Sequence, residues 1–259
     1  MSGVTVEDRA GTRWISLDRP ECRNALDPDV LAALTAGVDG AVAAGARAIV
    51  LIGRSGAFCS GADLRHAVAQ GPELLTQVDQ RLEEFQGLIR AIVGSPLPTI
   101  AAVDGVAYGF GCDLALACDL RVATTRAYFQ EGFVRIGLIP DGGGTWMLPR
   151  LVGLSKALEL TLLGEKLEAS AAQQLGLVAR LVAPEDLDAT AEAVAAKLAA
   201  GPPIAIAHIK RLVRSGLAKD FGTAFADEGR AQGECLRSED CIEGIAAFFQ
   251  KRAPEYKGR

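Results

Sequence analysis

Two glycine-rich turns, each following a short apolar run, are the parts of the sequence best suited to chemistry. One lies within residues 99–119, where the apolar run 99–103 leads through glycines into an apolar helix. The other lies within residues 56–64, after the apolar run 48–52. Such a turn directs unpaired N–H groups at a ligand, and a negative oxygen suits them best. Together the two turns could each donate one N–H group to the same carbonyl oxygen, as in an oxyanion hole.

A plain strand-to-helix connection without a ligand is the alternative for either turn taken alone. Gly105, Gly109 and Gly111 would serve that alternative too, because glycine tolerates positive φ angles and close packing. The occurrence of two such turns, each after a strand, favours the anion site.

Motifs along nearly the whole chain make the sequence similar to the crotonase family, the enoyl-CoA hydratase/isomerase superfamily. They occur in the family's order and at its spacing. The motifs are DRPECRNAL at 18–26, AFCSGADL at 57–64, IAAVDGVAYGFGCDLALACD at 100–119, GLIPDGGGTWMLPRLVG at 137–153, LLGEKLEASAAQQLGLV at 162–178 and FFQKRAPEYKG at 248–258.

The resemblance implies an α/β fold, namely a crotonase-type spiral of β-β-α turns with a C-terminal helical oligomerisation subdomain. We place the spiral core at residues 1–200 and the helical subdomain at residues 201–259, with the break at the Gly-Pro-Pro sequence 201–203. The family assembles through this subdomain, so the expected assembly is a homotrimer or a homohexamer.

By resemblance, the backbone N–H groups of Ala62 and Phe110 form the oxyanion hole. They would stabilise the negative charge that develops on a thioester oxygen when an enolate forms. Phe110 stands where the family commonly has glycine, but a backbone donor does not depend on its side chain. The Phe110 ring would instead narrow the acyl pocket.

The acidic residues depart from the pattern of the family's hydratases, which use two glutamates to hold and split water. Asp113 stands at the first position, and Phe133, counted back from Gly137, stands at the second. A phenyl ring cannot bind or deprotonate water. Glu131 would substitute only after a backbone shift, because alternate residues of an extended segment stand about 6–7 Å apart. The sequence therefore argues against efficient hydration.

Asp141 stands where hydratases usually carry glycine. Segment 133–149 looks particularly like the epoxyphenylacetyl-CoA isomerases of phenylacetate breakdown, which use an aspartate at this position. Dienoyl-CoA isomerases also have an acid here and an aspartate matching Asp113, but they pair it with a glutamate where Phe133 lies. Purely structural roles are the alternatives: Asp141 could cap the next helix, and Asp113 could be a first-turn charge on a helix dipole.

These residues predict an acyl-CoA isomerase with Asp141 as the base and Asp113 as a partner. The enzyme would shift a double bond from the 3-enoyl to the 2-enoyl position, or rearrange an epoxide-derived ring. Burial beside Phe110 and Phe133 would raise the pKa of Asp141 and make it a better base. Two alternatives stay open, namely a hydratase using Asp113 and Glu131, and a catalytically silent acyl-CoA-binding subunit.

Coenzyme A is expected as part of the substrate, without a separate cofactor. Family correspondence places its nucleotide end at loop 19–24 and at the backbone of 62–65, with phosphates near residues often supplied by a neighbouring subunit. Arginine and lysine suit phosphate, although exposed basic side chains often meet only solvent. The expected contacts are Arg19, Arg23, Ala62, Asp63, Leu64, Arg65, Phe110, Phe133, Phe248 and Lys251.

Alternating strands and helices must position these turns, and this alternation argues for a parallel sheet covered by helices. Residues 4–7 and 14–18 are predicted to form a hairpin, and 48–52, 99–103, 121–123, 128–130 and 178–182 to form strands. The predicted helices are 28–44, 73–93, 204–216, 221–236 and 238–251.

Composition excludes several classes of function. The 259 residues carry a net charge of −5 without a basic block, so neither nucleic acid nor a membrane is an expected partner. Six cysteines without paired spacing and only two histidines give no basis for a metal site. Leu114 spoils a dinucleotide fingerprint, and no phosphate-binding lysine motif occurs. With no leader sequence or spanning segment, a cytoplasmic location is expected.

Overall fold

Two sheets organise the protein, which we describe from a computed structural model covering residues 3–69, 71 and 76–259. The larger sheet has the strand order β1-β2-β3-β5-β7-β10 and the smaller β4-β6-β8-β9. The strands are β1 Val4–Arg9, β2 Thr12–Leu17, β3 Ala48–Gly53, β4 Ala57–Cys59, β5 Thr99–Val103, β6 Val106–Tyr108, β7 Leu120–Thr124, β8 Tyr128–Gln130, β9 Leu167–Glu168 and β10 Arg180–Val182.

Successive pairs of strands form a spiral. The larger sheet contains the parallel strands β3, β5 and β7. Each of them is followed along the chain by a strand of the smaller sheet, namely β4, β6 and β8, and these three also run parallel. Each turn of the spiral therefore contributes one strand to each sheet. Because parallel neighbours place their carboxyl ends at one edge, the segments that follow β4 and β6 come together.

Two short strands lie inside segments that the sequence predicted as turns. β4 occupies Ala57–Cys59 and β6 occupies Val106–Tyr108. The turn assignment was wrong for these residues, because each strand has only three residues and pairs with a strand almost fifty positions away. The predicted hairpin and the strands at 48–52, 99–103 and 128–130 are confirmed to within a residue or two at their ends.

Helices cover the sheets and form the C-terminal part of the chain. The first begins where Asp27 accepts a hydrogen bond from the Val30 N–H group, but it ends at Asp39, five residues earlier than predicted. The predicted helix 73–93 begins in part outside the described residues. The helices are Pro28–Asp39, Leu64–Ala69, Val78–Gly94, Phe110–Ala117, Gly144–Val152, Leu154–Leu163, Ala169–Gln174, Leu187–Ala199, Pro203–Gly216, Phe221–Leu236 and Glu239–Gln250.

The helix Phe110–Ala117 is buried along its whole length, which fixes the site that begins at its first residue. It packs in the main core, which lies between the sheets and their helices and includes Phe58, Leu114 and Leu148. The other face of the larger sheet packs against the helix Leu187–Ala199. A helix without an exposed face has little freedom to shift, so its N-terminus is a rigid platform.

A buried ionic cluster joins the helix Pro203–Gly216 to the core. The Lys210 ammonium group donates to the carbonyl oxygens of Ile92 and Leu97 at 3.0 and 2.8 Å, and lies 2.9 Å from the Asp119 carboxylate. Arg214 also binds Asp119, at 2.7 Å. Burial lowers the pKa of Lys210. These bonds join the two sides of the predicted division between residues 200 and 201. The division itself stays a prediction.

We expect Lys210→Met to lower the free energy of unfolding by about 3 kcal/mol, because it leaves two buried carbonyls without a donor and removes one partner of Asp119. Urea denaturation followed by circular dichroism measures the change. Lys156→Met is the matched control, since Lys156 pairs with Glu159 at the surface and such pairs contribute about 1 kcal/mol or less. Equal losses in the two variants would contradict the buried role of Lys210.

In the described ranges, no helix combines the length and the apolar character needed to cross a membrane.

Candidate active site

The two glycine-rich turns lie against each other, as the sequence predicted. Gly61 has a φ angle of +88° and Gly109 one of +53°, so both use the left-handed conformation that glycine favours. A Cβ atom added to Gly61 would stand only 2.8 Å from the Tyr108 carbonyl oxygen and 3.3 Å from the Phe110 nitrogen. Gly61 thus lets the turn after β4 approach the start of the helix after β6.

Two backbone donors are left available at this junction. The neighbouring N–H groups have acceptors. The Asp63 N–H group donates to the Leu26 carbonyl oxygen, beside the bridge between Leu26 and Ala62, and the Gly109 N–H group donates to the Gln130 carbonyl oxygen. Among the described residues, the N–H groups of Ala62 and Phe110 have no protein acceptor. Phe110 is also the first residue of its helix, where the dipole favours negative charge. The arrangement can stabilise an oxyanion.

Gly111 has a different role from Gly109. It adopts ordinary helical geometry, but a Cβ atom there would lie 2.2 Å from the Cys59 carbonyl oxygen. The helix therefore packs with its backbone directly on β4, which sets the depth of Phe110 relative to Ala62. The sequence predicted positive φ or close packing for Gly105, Gly109 and Gly111. Gly105 shows both, Gly109 shows positive φ and Gly111 shows close packing.

Three acidic side chains lie close to the loop that precedes the helix Gly144–Val152, namely those of Asp113, Glu131 and Asp141. Asp113 is fully buried and accepts a hydrogen bond of 2.9 Å from the Gly142 N–H group. Glu131 is 2% exposed. A Cβ atom on Gly144 would lie 2.2 Å from Asp113 Oδ1 and 3.2 Å from Glu131 Oε1. The Asp113 and Glu131 carboxyl groups therefore both lie beside Gly144, where Asp113 leaves no room for a side chain.

Asp141 is the most accessible of the three acids. It is half-buried, and its Oδ1 atom is buried without a hydrogen-bond partner in the described part of the chain. The next helix begins after Gly143, which caps it without a side-chain hydrogen bond. The alternative role of Asp141 as a helix cap is therefore wrong.

Burial raises the pKa of all three acids. The pKa of Asp113 is raised well above its ordinary value, first by burial and then by the negative charges of Glu131 and Asp141. Burial, with the charge of Asp141, raises the pKa of Glu131 to about 7. Burial also raises the pKa of Asp141, which is the direction expected for a base in an apolar pocket.

Glu131 reaches this cluster without the backbone shift that the sequence argument required. That argument assumed an extended segment, whereas residues Gly132–Ile136 form a 3₁₀ helix that begins directly after Glu131. The turn separates the two side chains. Glu131 faces Gly144, and the Phe133 ring approaches Gly109, 3.8 Å from the position of an added Cβ atom. The expectation for Glu131 is corrected, while Phe133 lies beside the oxyanion turn as an apolar wall.

The loop expected to meet the nucleotide lies next to the oxyanion turn. The Ser60 N–H group donates to the Arg23 carbonyl oxygen at 3.1 Å, and Arg23 itself is exposed. Arg19 is already engaged, since its guanidinium group donates to the Ala25 carbonyl oxygen and pairs with Asp27 at 2.8 Å. Arg23 is therefore the freer cation of this loop for a phosphate group.

The other expected contacts fall into two groups. Asp63 caps the helix Leu64–Ala69 by accepting from the Arg65 N–H group at 3.0 Å, and Leu64 and Arg65 are exposed beside Ala62. Phe248 is 79% exposed near the end of the last helix, and Lys251 follows it. Within the described residues, no hydrogen bond or ion pair connects the side chains of these two residues to the turns.

Sequence reasoning missed Gly61, Gly144 and the orientation of Glu131. Both glycines lie in motifs at 57–64 and 137–153, but only the packing shows which neighbouring atoms come close to them. Across the described ranges, no group of three or more histidine, cysteine, aspartate or glutamate side chains is arranged to hold a metal ion. All six cysteines are free thiols.

Comparison with known proteins gives consistent matches over the full length. The sequence matches the enoyl-CoA hydratase/isomerase family over residues 7–259. A probable enoyl-CoA hydratase of Rhodobacter capsulatus is 43% identical over 256 residues, covering 99% of this chain and 98% of that protein. The 1,2-epoxyphenylacetyl-CoA isomerase of Escherichia coli is 35% identical over 257 residues and covers 96% of each.

The fold gives the same result. The crystal structure of an enoyl-CoA hydratase from Bacillus anthracis superposes with a TM-score of 0.94 at 33% sequence identity, covering 99% of this chain and 100% of that one. The predicted crotonase-type α/β spiral is thereby confirmed.

Proposed function

We propose that the chain, which belongs to the enoyl-CoA hydratase/isomerase family, is an acyl-CoA isomerase that uses Asp141 as its base. One observation carries this proposal: Asp141 is the only half-buried acid of the three, whereas Asp113 and Glu131 are buried. Phe133 stands at the place where the resemblance puts the second hydratase glutamate. A single accessible carboxylate with an oxyanion hole suits a proton shift.

The proposed reaction moves one proton and needs no water. Asp141 takes a proton from C2 of a 3-enoyl thioester, and the electrons of that C–H bond form a dienolate. The N–H groups of Ala62 and Phe110 stabilise the charge on the thioester oxygen. Asp141 then returns the proton to C4, which leaves the 2-enoyl thioester. Opening of an epoxide-derived ring on an aromatic acyl group is the variant suggested by the isomerase relative.

Coenzyme A enters this proposal as part of the substrate and not as a separate cofactor. Its thioester would lie between the two turns, and its nucleotide end would follow loop 19–24 past Arg23. The Phe110 and Phe133 rings, 2% and 8% exposed, would exclude water from the acyl chain.

Nuclear magnetic resonance in deuterated water tests the reaction directly. With 3-enoyl-CoA as substrate, we expect migration of the double bond, exchange at C2 and C4, and no 3-hydroxyacyl product. Turnover of an epoxyphenylacetyl thioester, assayed in parallel, would identify the ring-rearranging variant. If neither substrate is converted while binding persists, the isomerase proposal fails and the silent binding subunit is favoured.

An enoyl-CoA hydratase is the second candidate, because Asp113 and Glu131 both lie beside Gly144 and many named relatives are hydratases. In that reaction the two carboxyl groups would hold the water molecule that adds to the double bond. Efficient formation of 3-hydroxyacyl-CoA from 2-enoyl-CoA would establish this activity and would overturn the isomerase assignment.

We also propose assembly into a homotrimer or a homohexamer. The C-terminal helices expose large apolar side chains that include Val213, Phe221, Phe225 and Phe248, each more than 60% exposed. Light scattering coupled to size-exclusion chromatography would measure the mass, and a monomer would contradict the proposal. The cytoplasmic location stays a prediction.

A further inference from the structure

Glu131 is a buried acid to which the proposed proton shift gives no role. It is 2% exposed, and in the described part of the chain neither of its carboxylate oxygens has a hydrogen-bond partner of good geometry. A buried carboxylate without a cation is strongly unfavourable, and such a group normally keeps its proton. In the folded protein, Glu131 therefore either holds a proton or carries an unfavourable charge that a function must explain.

The groups that face Glu131 are all neutral or acidic. The helix Phe110–Ala117 contributes the Cys112 thiol and the Asp113 carboxyl group, and the loop after the 3₁₀ helix contributes Asp141. On the other side, Glu165 lines a small void of about 10 Å³ together with Glu131, Gln130 and apolar side chains. Among the described residues, no lysine or arginine lines this void. In these surroundings, a proton shared with a neighbouring acid would neutralise the charge of Glu131.

Asp113 is the group positioned to share that proton. Its Oδ1 atom and Glu131 Oε1 both border the position of a Cβ atom on Gly144, at 2.2 and 3.2 Å. Asp113 Oδ1 has no partner in the described residues, while Oδ2 accepts from Gly142. Two buried carboxyl groups beside the same glycine repel each other when both are ionised, and the charge of Glu131 raises the pKa of Asp113, so the pair gives up its second proton less readily than two isolated acids.

The pair acts on Asp141 through the backbone. Gly142, which donates to Asp113 Oδ2, directly follows Asp141 in the chain. Asp113 holds this loop in place as long as its Oδ2 atom accepts from the Gly142 N–H group. We propose that Glu131 is a positioning residue that shares one proton with Asp113 and thereby fixes the loop that carries Asp141. The catalytic part of this inference rests on the proposed isomerase function.

Thermal unfolding between pH 5 and 8 tests the shared proton independently of activity. A raised pKa means that the folded protein keeps a proton that the unfolded chain releases, so stability falls as the pH rises from about 4.5 to about 7. We expect the wild-type melting temperature to fall over this range. The Glu131→Gln variant should show a shallower slope but not a flat one, because burial also raises the pKa of Asp113 and of Asp141. Glu165→Gln, which removes an exposed acid on the same void, is the matched control and should keep it. Parallel curves for wild type and Glu131→Gln would overturn the inference.

Kinetics test the positioning role. We expect Glu131→Gln to lower kcat for isomerisation about tenfold while KM changes less than threefold, because a displaced base costs turnover more than binding. The pH profile should also shift on its acidic limb, which a structural defect alone would not produce. An unchanged kcat and pH profile would overturn the role. Glu131→Met, of similar length and without polar atoms, serves if the amide variant does not fold.

The two readouts separate this inference from the proposed function. If the wild type shows no isomerase activity but the melting slope depends on Glu131, the isomerase assignment fails while the shared proton stands. If the wild type is active and Glu131→Gln matches it in both assays, the isomerase assignment stands and the inference about Glu131 fails.

Discussion

The Asp141→Asn variant is expected to lose double-bond migration by a factor of about 10²–10⁴, the usual contribution of a positioned general base. The amide keeps the size and shape of the side chain but cannot take the proton from C2. KM for the thioester should change little, because the oxyanion donors and the apolar walls stay in place. Initial rates with 3-enoyl-CoA measure the effect.

The controls for this variant separate chemistry from folding. Replacing a half-buried carboxylate by an amide removes an unfavourable charge, so the melting temperature should stay the same or rise. Asp29→Asn, at an exposed position in the first turn of another helix, should leave the rate unchanged. Full turnover by a folded Asp141→Asn variant would assign the base to another residue.

The second large effect is expected for Gly61→Ala, which should lower kcat by about 10²–10³, as loss of an oxyanion donor does in other enzymes. The new methyl group would stand 2.8 Å from the Tyr108 carbonyl oxygen and 3.3 Å from the Phe110 nitrogen. The turns must then separate, and the N–H groups of Ala62 and Phe110 can no longer reach one oxygen.

Gly45→Ala is the matched control for this substitution. Gly45 has a φ angle of +76° and nothing within 4 Å of an added Cβ atom, so it reproduces the backbone strain of the alanine without crowding the turns. Both variants should lose about 1–2 kcal/mol of stability from strain alone, but only Gly61→Ala should lose turnover. A similar rate for both would show that the spacing of the turns does not control catalysis.

Much of the fold follows from local patterns in the sequence. The runs at 48–52 and 99–103 are buried on both faces, one against the main core and the other against the helix Leu187–Ala199, and such runs identify buried parallel strands. The helix after Asp27 starts at a capping aspartate followed by proline. Its end at Asp39 was not predictable, because the alanines beyond it favour a helix by composition.

The site was predictable where backbone chemistry decides and unpredictable where packing decides. Gly109 marks the turn through its conformational preference, while the assignment of Ala62 and Phe110 as oxyanion donors depends on the family resemblance and stays a prediction. The direction of Glu131 depends instead on the 3₁₀ turn that begins at Gly132, where an added Cβ atom would lie 2.1 Å from the Tyr108 ring. That contact joins residues far apart in sequence, so a count along the chain could not find it.

The oxyanion donors are main-chain groups, and this has a consequence for how the enzyme can diversify. A point mutation at position 62 or 110 changes a side chain but, unless it introduces proline, leaves the N–H group that does the chemistry. The Phe110 ring packs edge-on against Phe85 with ring centroids 4.7 Å apart, where the proposed reaction would place the acyl group. Smaller residues at 110 would therefore enlarge the range of accepted acyl groups while the reaction itself is inherited intact.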